Sequence, residues 1–275
     1  DSDDLETKAA AGLSADGDIS ISGGTIELTA TGSGGKGMKC DGTLTVTDGT
    51  ITVVTSGGLY YNNGTTEYTN YTGNTDNIDN SYYSAPKGIK AGLKTESGSS
   101  YTYSGGISIS GGTITVTTSG TNGEGIESKN TFDITGGQIT VNSYDDALNA
   151  AQDITISGGQ VYARSTNNDG IDANGNCYIK GGLVFAIGAS SPEVAIDANT
   201  EEQKKLYVQG GTIVAIGGLE SGSQLTQSCY YTSSWSKSTW YALTVGSNVF
   251  AFKTPSSGGS GLVVSGSSTP TLKSG

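Results

Sequence analysis

Residues 153–173 read DITISGGQVYARSTNNDGIDA and contain one complete unit of a pattern that recurs along the chain. Apolar and polar residues alternate before the Gly158-Gly159 pair and again after it, which is typical of half-buried β-strands. The glycine pair favours a bend between these two strands. A third short apolar stretch, Gly170-Ile-Asp-Ala173, closes the unit. The pattern therefore predicts three short strands per unit, arranged as the sides of a triangle.

Equivalent Gly-Gly or Asp-Gly pairs recur through most of the sequence. Most of the intervals between them are 22 to 29 residues, which suits one coil of a solenoid, and one longer interval must hold an insertion. The spacing predicts an all-β fold, a right-handed single-stranded parallel β-helix of about seven coils with three strands per coil. The first residues of the pairs are Gly23, Asp48, Gly111, Gly136, Gly158, Gly181 and Gly210.

Ladders of like residues support this prediction. Stacked coils place equivalent residues about 4.8 Å apart, so the fold requires the same residue class at the same phase of every coil. An antiparallel β-sandwich would also show alternation, but it would not require such ladders. Two residues before the successive pairs stand Ile21, Val46, Ile109, Ile134, Ile156, Ile179 and Val208.

The composition excludes several classes of partner. The 275 residues contain 26 acidic and 14 basic residues and no histidine, and the formal net charge of -12 repels nucleic acid. No apolar run approaches the roughly 20 residues that a membrane span needs. The polar start, Asp1-Ser-Asp-Asp4, resembles the tether after a processed lipoprotein cysteine. We therefore expect an extracellular or cell-surface monomer with a lipid anchor upstream.

Two domains are predicted. Residues 1–218 should form the β-helix, with a tyrosine-rich insertion at about 57–105, and residues 219–275 a small C-terminal β cap. The outward residues Tyr162, Phe185 and Val214 form an apolar stripe that a solvated strand would not expose, so the cap should pack back on the last coils. At the other end, residues 5–13 are predicted to form a short amphipathic helix.

The third strands carry an acidic column on the later coils. Carboxylates stacked about 5 Å apart repel each other, and hard oxygen ligands on turns favour calcium as the counter-ion. The alternative is a solvated acidic stripe that Lys87 and Lys90 partly balance. The candidate calcium ligands are Asp145, Asp146, Asn168, Asp169, Asp172 and Asp197, with Glu124 and Glu127 as weaker candidates.

Tyrosines supply the candidate sugar-binding residues, because a tyrosine ring offers an apolar face with a polar tip. Tyr178 and Tyr207 should point outward on adjacent coils, although they could equally pack against each other. Within the insertion, the rings could bind a glycan or only pin a long loop to the coil. The insertion candidates are Tyr60, Tyr61, Tyr82 and Tyr83.

Three features together resemble a known family: the Gly-Ile-Asp-Ala third strands, the Ile109-Ser-Gly-Gly-Thr-Ile114 coil and the segment Gly261-Leu-Val-Val-Ser-Gly266. The chain is similar, from about Gly17 onward, to the carbohydrate-binding, pectate-lyase-like β-helix proteins that anaerobic bacteria display on their surfaces, some of them described as adhesins. The resemblance implies bound calcium and non-catalytic attachment to plant polysaccharides, including acidic pectic ones. Under this resemblance, the acidic turns of the family correspond to Asp145-Asp146, residues 168–172 and Asp197.

The early coils depart from the family pattern, because lysines stand where acids would be expected, and calcium beside those coils is therefore in doubt. These lysines are Lys36, Lys39, Lys87 and Lys90.

Three functions remain open from the sequence. The first is an extracellular polysaccharide-binding or cell-adhesion protein without catalytic residues, in which calcium assists the recognition of plant or acidic glycans. The second is a calcium-dependent pectate-type lyase, whose base would have to be a lysine or an arginine such as Lys180 or Arg164. The third is a structural stalk that holds another surface away from the cell.

Overall fold

The computed structural model describes residues 9–73, 79–98 and 100–275. It is an all-β solenoid of about 8 turns whose coils stack in parallel, which confirms the predicted architecture. We name the sides of the coil by their order around a turn. Face 1 precedes the glycine pair, face 2 follows it, and face 3 consists of the short third strands.

Faces 1 and 2 belong to one 13-stranded sheet that bends at the glycine pairs. At Gly112 the backbone has a φ of +83°, and a Cβ atom would lie 2.9 Å from the carbonyl oxygen of Gly49, so only glycine fits this bend. In four coils a single strand runs through both faces: Ile19–Ala30, Thr43–Thr55, Cys177–Ile187 and Leu206–Ile216. In the others the bend separates face 1 strands Gly106–Ile109, Thr131–Ile134 and Ile154–Ile156 from face 2 strands Thr113–Thr118, Gln138–Ser143 and Gln160–Ser165.

Face 3 is a separate parallel sheet of six strands. Its register places Asn149 between Glu127 and Asp172 on the neighbouring coils. Parallel bridges then extend the stack from Ile171 to Ile196 and Leu219. The strands of face 3 are Ala11–Ala15, Lys36–Cys40, Lys87–Ala91, Glu124–Ser128, Leu148–Ala150 and Ile171–Ala173.

The predicted amino-terminal helix is wrong for residues 11–13. This segment belongs to the strand Ala11–Ala15, which pairs in parallel with Lys36–Cys40. The open edge of a parallel sheet supplies hydrogen-bond partners that an isolated short helix lacks. The segment therefore forms a strand in spite of its weak amphipathic helical pattern. The first part of that prediction, residues 5–8, lies outside the described residues.

The core lies inside the coils and contains the predicted ladders. Ile134, Ile156 and Ile179 are fully buried, and Phe132 is the largest of the fully buried side chains. The thiols of Cys40 and Cys177 are also buried there as free cysteines. β-Branched side chains pack well on a pleated surface, which explains their dominance on these ladders.

Two excursions leave the solenoid on either side of the face 3 strand Lys87–Ala91. The second is an antiparallel hairpin, and its strand Leu93–Ser97 is exposed along its whole length. The predicted insertion is thus divided in two, and from here on we use the name insertion for the first excursion alone. It contains the antiparallel strands Leu59–Asn62, Glu67–Tyr71 and Tyr83–Ser84 and the 3-10 helix Asn80–Tyr82. The hairpin consists of Leu93–Ser97 and Ser100–Ser104.

The segment after Gly218 lies over the apolar stripe of the late coils. Val214 is buried against Leu243 and Val264, and the ring of Phe185 lies 5.3 Å from that of Phe252. The strand Leu262–Gly266 pairs antiparallel with the end of Leu206–Ile216. The remaining elements are the strands Gln224–Leu225, Ser228–Thr232, Trp240–Val245, Asn248–Lys253 and Thr271–Ser274 and the 3-10 helix Thr200–Glu202.

Candidate functional site

Three carboxylates meet on face 3 where the late coils stack. One oxygen atom each from Asp169, Asp172 and Asp197 lies within 4.8 Å of the other two. The parallel bridge between Ile171 and Ile196 sets this arrangement, because each aspartate lies next to or near a bridging isoleucine. We call these three residues the acid cluster. It contains three of the predicted calcium ligands.

Of the other predicted ligands, Asp146 is hydrogen-bonded to the acid cluster, whereas Asp145 and Asn168 bond to each other. The buried carboxylate of Asp146 accepts hydrogen bonds from the backbone N–H of Asp169 at 3.0 Å and from the Asn149 amide at 3.1 Å. The same Asn149 amide nitrogen donates to Asp172 Oδ2 at 2.7 Å. Asn168 Nδ2 donates to Asp145 Oδ1 at 2.8 Å. These contacts fix the carboxylates of neighbouring coils relative to each other.

Burial and mutual repulsion raise the pKa of several of these acids. Burial is the largest cause that raises the pKa of Asp169 to about 7 and the pKa of Asp172 to about 6. The pKa of Asp146 is also raised, first by burial and then by the charge of Asp172. Without a cation, the acids therefore cannot all ionise near neutral pH at low cost.

Glu220 belongs to this site and was not predicted from the sequence. Burial first, then a hydrogen bond with Glu220, raises the pKa of Asp197 to about 9. Burial acts to raise the pKa of Glu220, but hydrogen bonds from Asp197 and Ser221 lower it, so the shared proton stays on Asp197. The signal was present, because Leu219-Glu220 repeats the apolar-acidic pattern of Ile196-Asp197 one coil later.

The two glutamates that were weaker metal candidates lie among lysines instead. Lys87 Nζ is 2.5 Å from Glu124 Oε1 and 3.5 Å from Glu127 Oε1, and Lys129 also pairs with Glu127. Burial opposes ionisation of Glu127, but Lys87, Lys129 and Lys90 outweigh it and lower its pKa to about 2. Lysines thus neutralise Glu127, and the structure does not bring these glutamates into the acid cluster.

Without bound metal, we expect the protein to lose stability as the pH rises from about 4 to about 7. An unfolded aspartic acid has a pKa of about 3.9, whereas Asp169 has a pKa of about 7, so the folded state keeps a proton that the unfolded chain has lost. The contribution of Asp169 to stability is complete below the pKa of the unfolded chain and is lost as the pH rises through the pKa of the folded protein. Urea unfolding in chelator at several pH values measures the fall.

The matched comparison is Asp169→Asn, for which the fall should be smaller. Taking the difference between the two proteins cancels the contribution of groups that do not interact with Asp169, such as Lys36, whose pKa burial lowers to about 7. An equal fall in both proteins would contradict the assignment to Asp169.

Tyr178 and Tyr207 lie on face 1, on adjacent coils, and their rings stack on each other. The ring centroids are 4.9 Å apart and the planes differ by 9°. The amino group of Lys180 lies 4.9 Å from the centroid of the Tyr178 ring. Both tyrosines remain partly exposed. The pair presents a continuous aromatic edge to solvent, away from the acid cluster on face 3.

The predicted tyrosines of the insertion mainly contact the insertion itself. The hydroxyl of Tyr60 donates to Glu67 at 2.9 Å, and the Tyr61 ring stacks at 5.1 Å on that of Tyr71. Tyr83 pairs with Tyr61 through the backbone, and Tyr82, at the end of the 3-10 helix, is half-buried. These contacts are those of rings that hold a long loop together.

Comparison with known proteins identifies the family. A family model described as a carbohydrate-binding domain-containing protein matches residues 2–170, which is more than half of the chain. Neither the comparison with curated proteins nor the comparison with solved structures gave a match. Across the described residues, no helix has the length and apolar character that crossing a membrane requires. The chain therefore belongs to the family of carbohydrate-binding domain-containing proteins.

Proposed function

We propose that this protein is a non-catalytic, cell-surface polysaccharide-binding or adhesion protein whose acid cluster holds calcium and uses it to recognise acidic plant glycans. The observation that carries the proposal is the convergence of Asp169, Asp172 and Asp197 within 4.8 Å on one face. The family match supports the carbohydrate-binding part. The resemblance to pectate-lyase-like surface proteins supports the acidic glycan.

The donor set of the acid cluster fits calcium. All of its ligand atoms are carboxylate oxygens, which hard cations prefer, and the chain has no histidine to favour a transition metal. Asp146 and Glu220 add further carboxylates at its border. A bound calcium ion would replace the protons that burial now retains and would present positive charge to the carboxylate of a uronic acid.

The lyase alternative needs a base beside the acid cluster. The two basic side chains considered from the sequence have other partners: the Arg164 guanidinium donates to Ser257 Oγ at 3.4 Å, and Lys180 lies over Tyr178 on face 1. A binding protein requires no such base, so binding is the simpler function for this geometry.

The direct test is co-sedimentation with insoluble polysaccharides in calcium and in chelator. We expect retention on cross-linked polygalacturonate in calcium, with a clear loss in chelator. Incubation with soluble polygalacturonate should give no growth in ultraviolet absorbance from unsaturated ends. Steady growth of that signal would favour the lyase, and equal retention in both buffers would contradict a role for calcium.

The tyrosine pair gives a second prediction. Removing both rings by Tyr178→Ala and Tyr207→Ala should weaken binding by roughly 10-fold, because a stacked aromatic contact contributes about 0.5 to 1.5 kcal/mol per ring. Isothermal titration with soluble glycan measures the change. The matched control is Tyr230→Ala with Tyr231→Ala, two exposed tyrosines of the C-terminal segment, which should bind normally. Equal affinity of all three proteins would mean that the tyrosine pair on face 1 does not contact the glycan.

A further inference from the structure

Face 3 reverses its charge along the solenoid axis. The later coils carry the acid cluster, whereas the early coils carry two in-register pairs of lysines, Lys36 with Lys87 and Lys39 with Lys90. Like charges directly opposite each other on neighbouring strands destabilise a sheet. Four lysines stacked in this way on a chain with a net charge of -12 therefore need partners.

The structure supplies partners for the first pair. The ammonium of Lys87 lies between Glu124 and Glu127, which raise its pKa against the effect of burial. The amino group of Lys36 is buried and donates to the carbonyl oxygen of Gly34 at 2.8 Å and to the hydroxyl of Ser84. These two lysines are internal, and the contact of Lys36 with Ser84 joins the insertion to the coil.

The second pair lies outward and is neutralised less completely, although Lys90 is in register with Glu127. Lys39 is one-third exposed and has Asp41 at 3.2 Å. Lys90 makes no hydrogen bond or ion pair within the described part of the chain. Burial lowers the pKa of Lys90, and the charges of three neighbouring lysines lower it further, with Glu127 acting in the opposite direction. An anion at this position would relieve the repulsion.

Both excursions from the repeat flank this pair. The insertion ends at Ser84, just before the strand Lys87–Ala91, and the hairpin begins at Leu93, just after it. The hairpin brings a further cation, because Lys94 Nζ lies 4.0 Å from the centroid of the Tyr101 ring. That ring is half-exposed. The lysine strand is thus bordered by tyrosine-bearing segments at both of its ends, an arrangement that no other coil among the described residues has.

We propose that Lys39 and Lys90 form a calcium-independent subsite for the carboxylates of an acidic glycan. This inference rests on the proposed function and adds a second, directly cationic contact on the same face. Lysines on neighbouring coils are about 4.8 Å apart, so a polymer with a carboxylate on each sugar can engage both. The family match favours a glycan over other polyanions.

The experiment is titration of the full chain with soluble oligogalacturonate in chelator at low salt. The double variant Lys39→Gln with Lys90→Gln should bind about 10-fold more weakly, whereas Lys39→Arg with Lys90→Arg should keep most of the affinity. The control is Lys237→Gln with Lys253→Gln, two exposed lysines of the C-terminal segment. The methyl-esterified oligomer, which lacks the charge, should bind the wild type as weakly as the glutamine variant does.

Each other outcome overturns the inference. If the wild type binds the oligomer only in calcium and the lysine variants match it, the lysine subsite is wrong and the calcium proposal stands. If the wild type binds no glycan in either buffer, both proposals fail. If single-stranded DNA of equal charge binds as tightly as the oligomer, the site is a general anion surface and not a glycan subsite.

Discussion

We expect millimolar calcium to raise the melting temperature of the wild-type protein, and the double variant Asp169→Asn with Asp197→Asn to lose this rise. A cation present at 100 times its dissociation constant stabilises the folded state by about 2.7 kcal/mol, which is about 5 to 10 °C for a chain of this size. The variant keeps the shape of both side chains and removes two of the three carboxylates of the acid cluster. Differential scanning calorimetry with and without chelator measures the effect.

Two comparisons make this result specific. Asp133→Asn, on the exposed side of face 1, removes a carboxylate away from the acid cluster and should leave the calcium response intact. In chelator at pH 8, the double variant should be no less stable than the wild type, because it has lost the charge of Asp169, which the neighbouring acids repel. An equal rise with calcium in the wild type and the double variant would exclude the acid cluster as the site.

Replacing Phe132 with alanine should cost about 3 to 5 kcal/mol of unfolding free energy, the usual range for removing a buried aromatic ring from a packed core. Phe132 is fully buried and lies in register between Ile107 and Ile154 on the neighbouring coils. Neither neighbour can fill the space without breaking its own stacking. Urea unfolding followed by circular dichroism gives the change.

The control for Phe132 is the next residue on the same strand. Asp133 points outward and is exposed, so Asp133→Ala should change the unfolding free energy by less than about 0.5 kcal/mol. A loss below about 1 kcal/mol for Phe132→Ala would mean that the interior of the coil is not packed as the ladders require.

The repeat could be recognised in the sequence because stacking requires the same class of residue at equivalent positions of every coil. Ile134, Ile156 and Ile179 had to be buried together once their distances from the glycine pairs agreed, and all three are. The same logic placed Asp172 and Asp197 on one face. In a solenoid, a single period in the sequence therefore predicts which residues become neighbours.

The sequence did not predict which side chains bond to each other. The amide of Asn149 bridges Asp146 and Asp172, and Lys87 reaches both Glu124 and Glu127, because rotamers select among several neighbours at similar distances. Glu220 was missed because the repeat weakens once the glycine pairs end. The amino-terminal strand was missed because its residues also fit a short amphipathic helix, although Ala11–Ala15 repeats the apolar spacing of its partner, Lys36–Cys40, one coil earlier.

The antiparallel strand Leu262–Gly266 limits how the solenoid can grow. It occupies the edge of face 2 beside residues 213–216, and Ser228–Thr232 pairs antiparallel with its other side, whereas coils pair in parallel. A further parallel turn could not dock there, since the hydrogen-bonding groups that it would need are already engaged. Growth of the solenoid is thereby stopped at this end, and two copies cannot merge end to end through this edge into a longer rod.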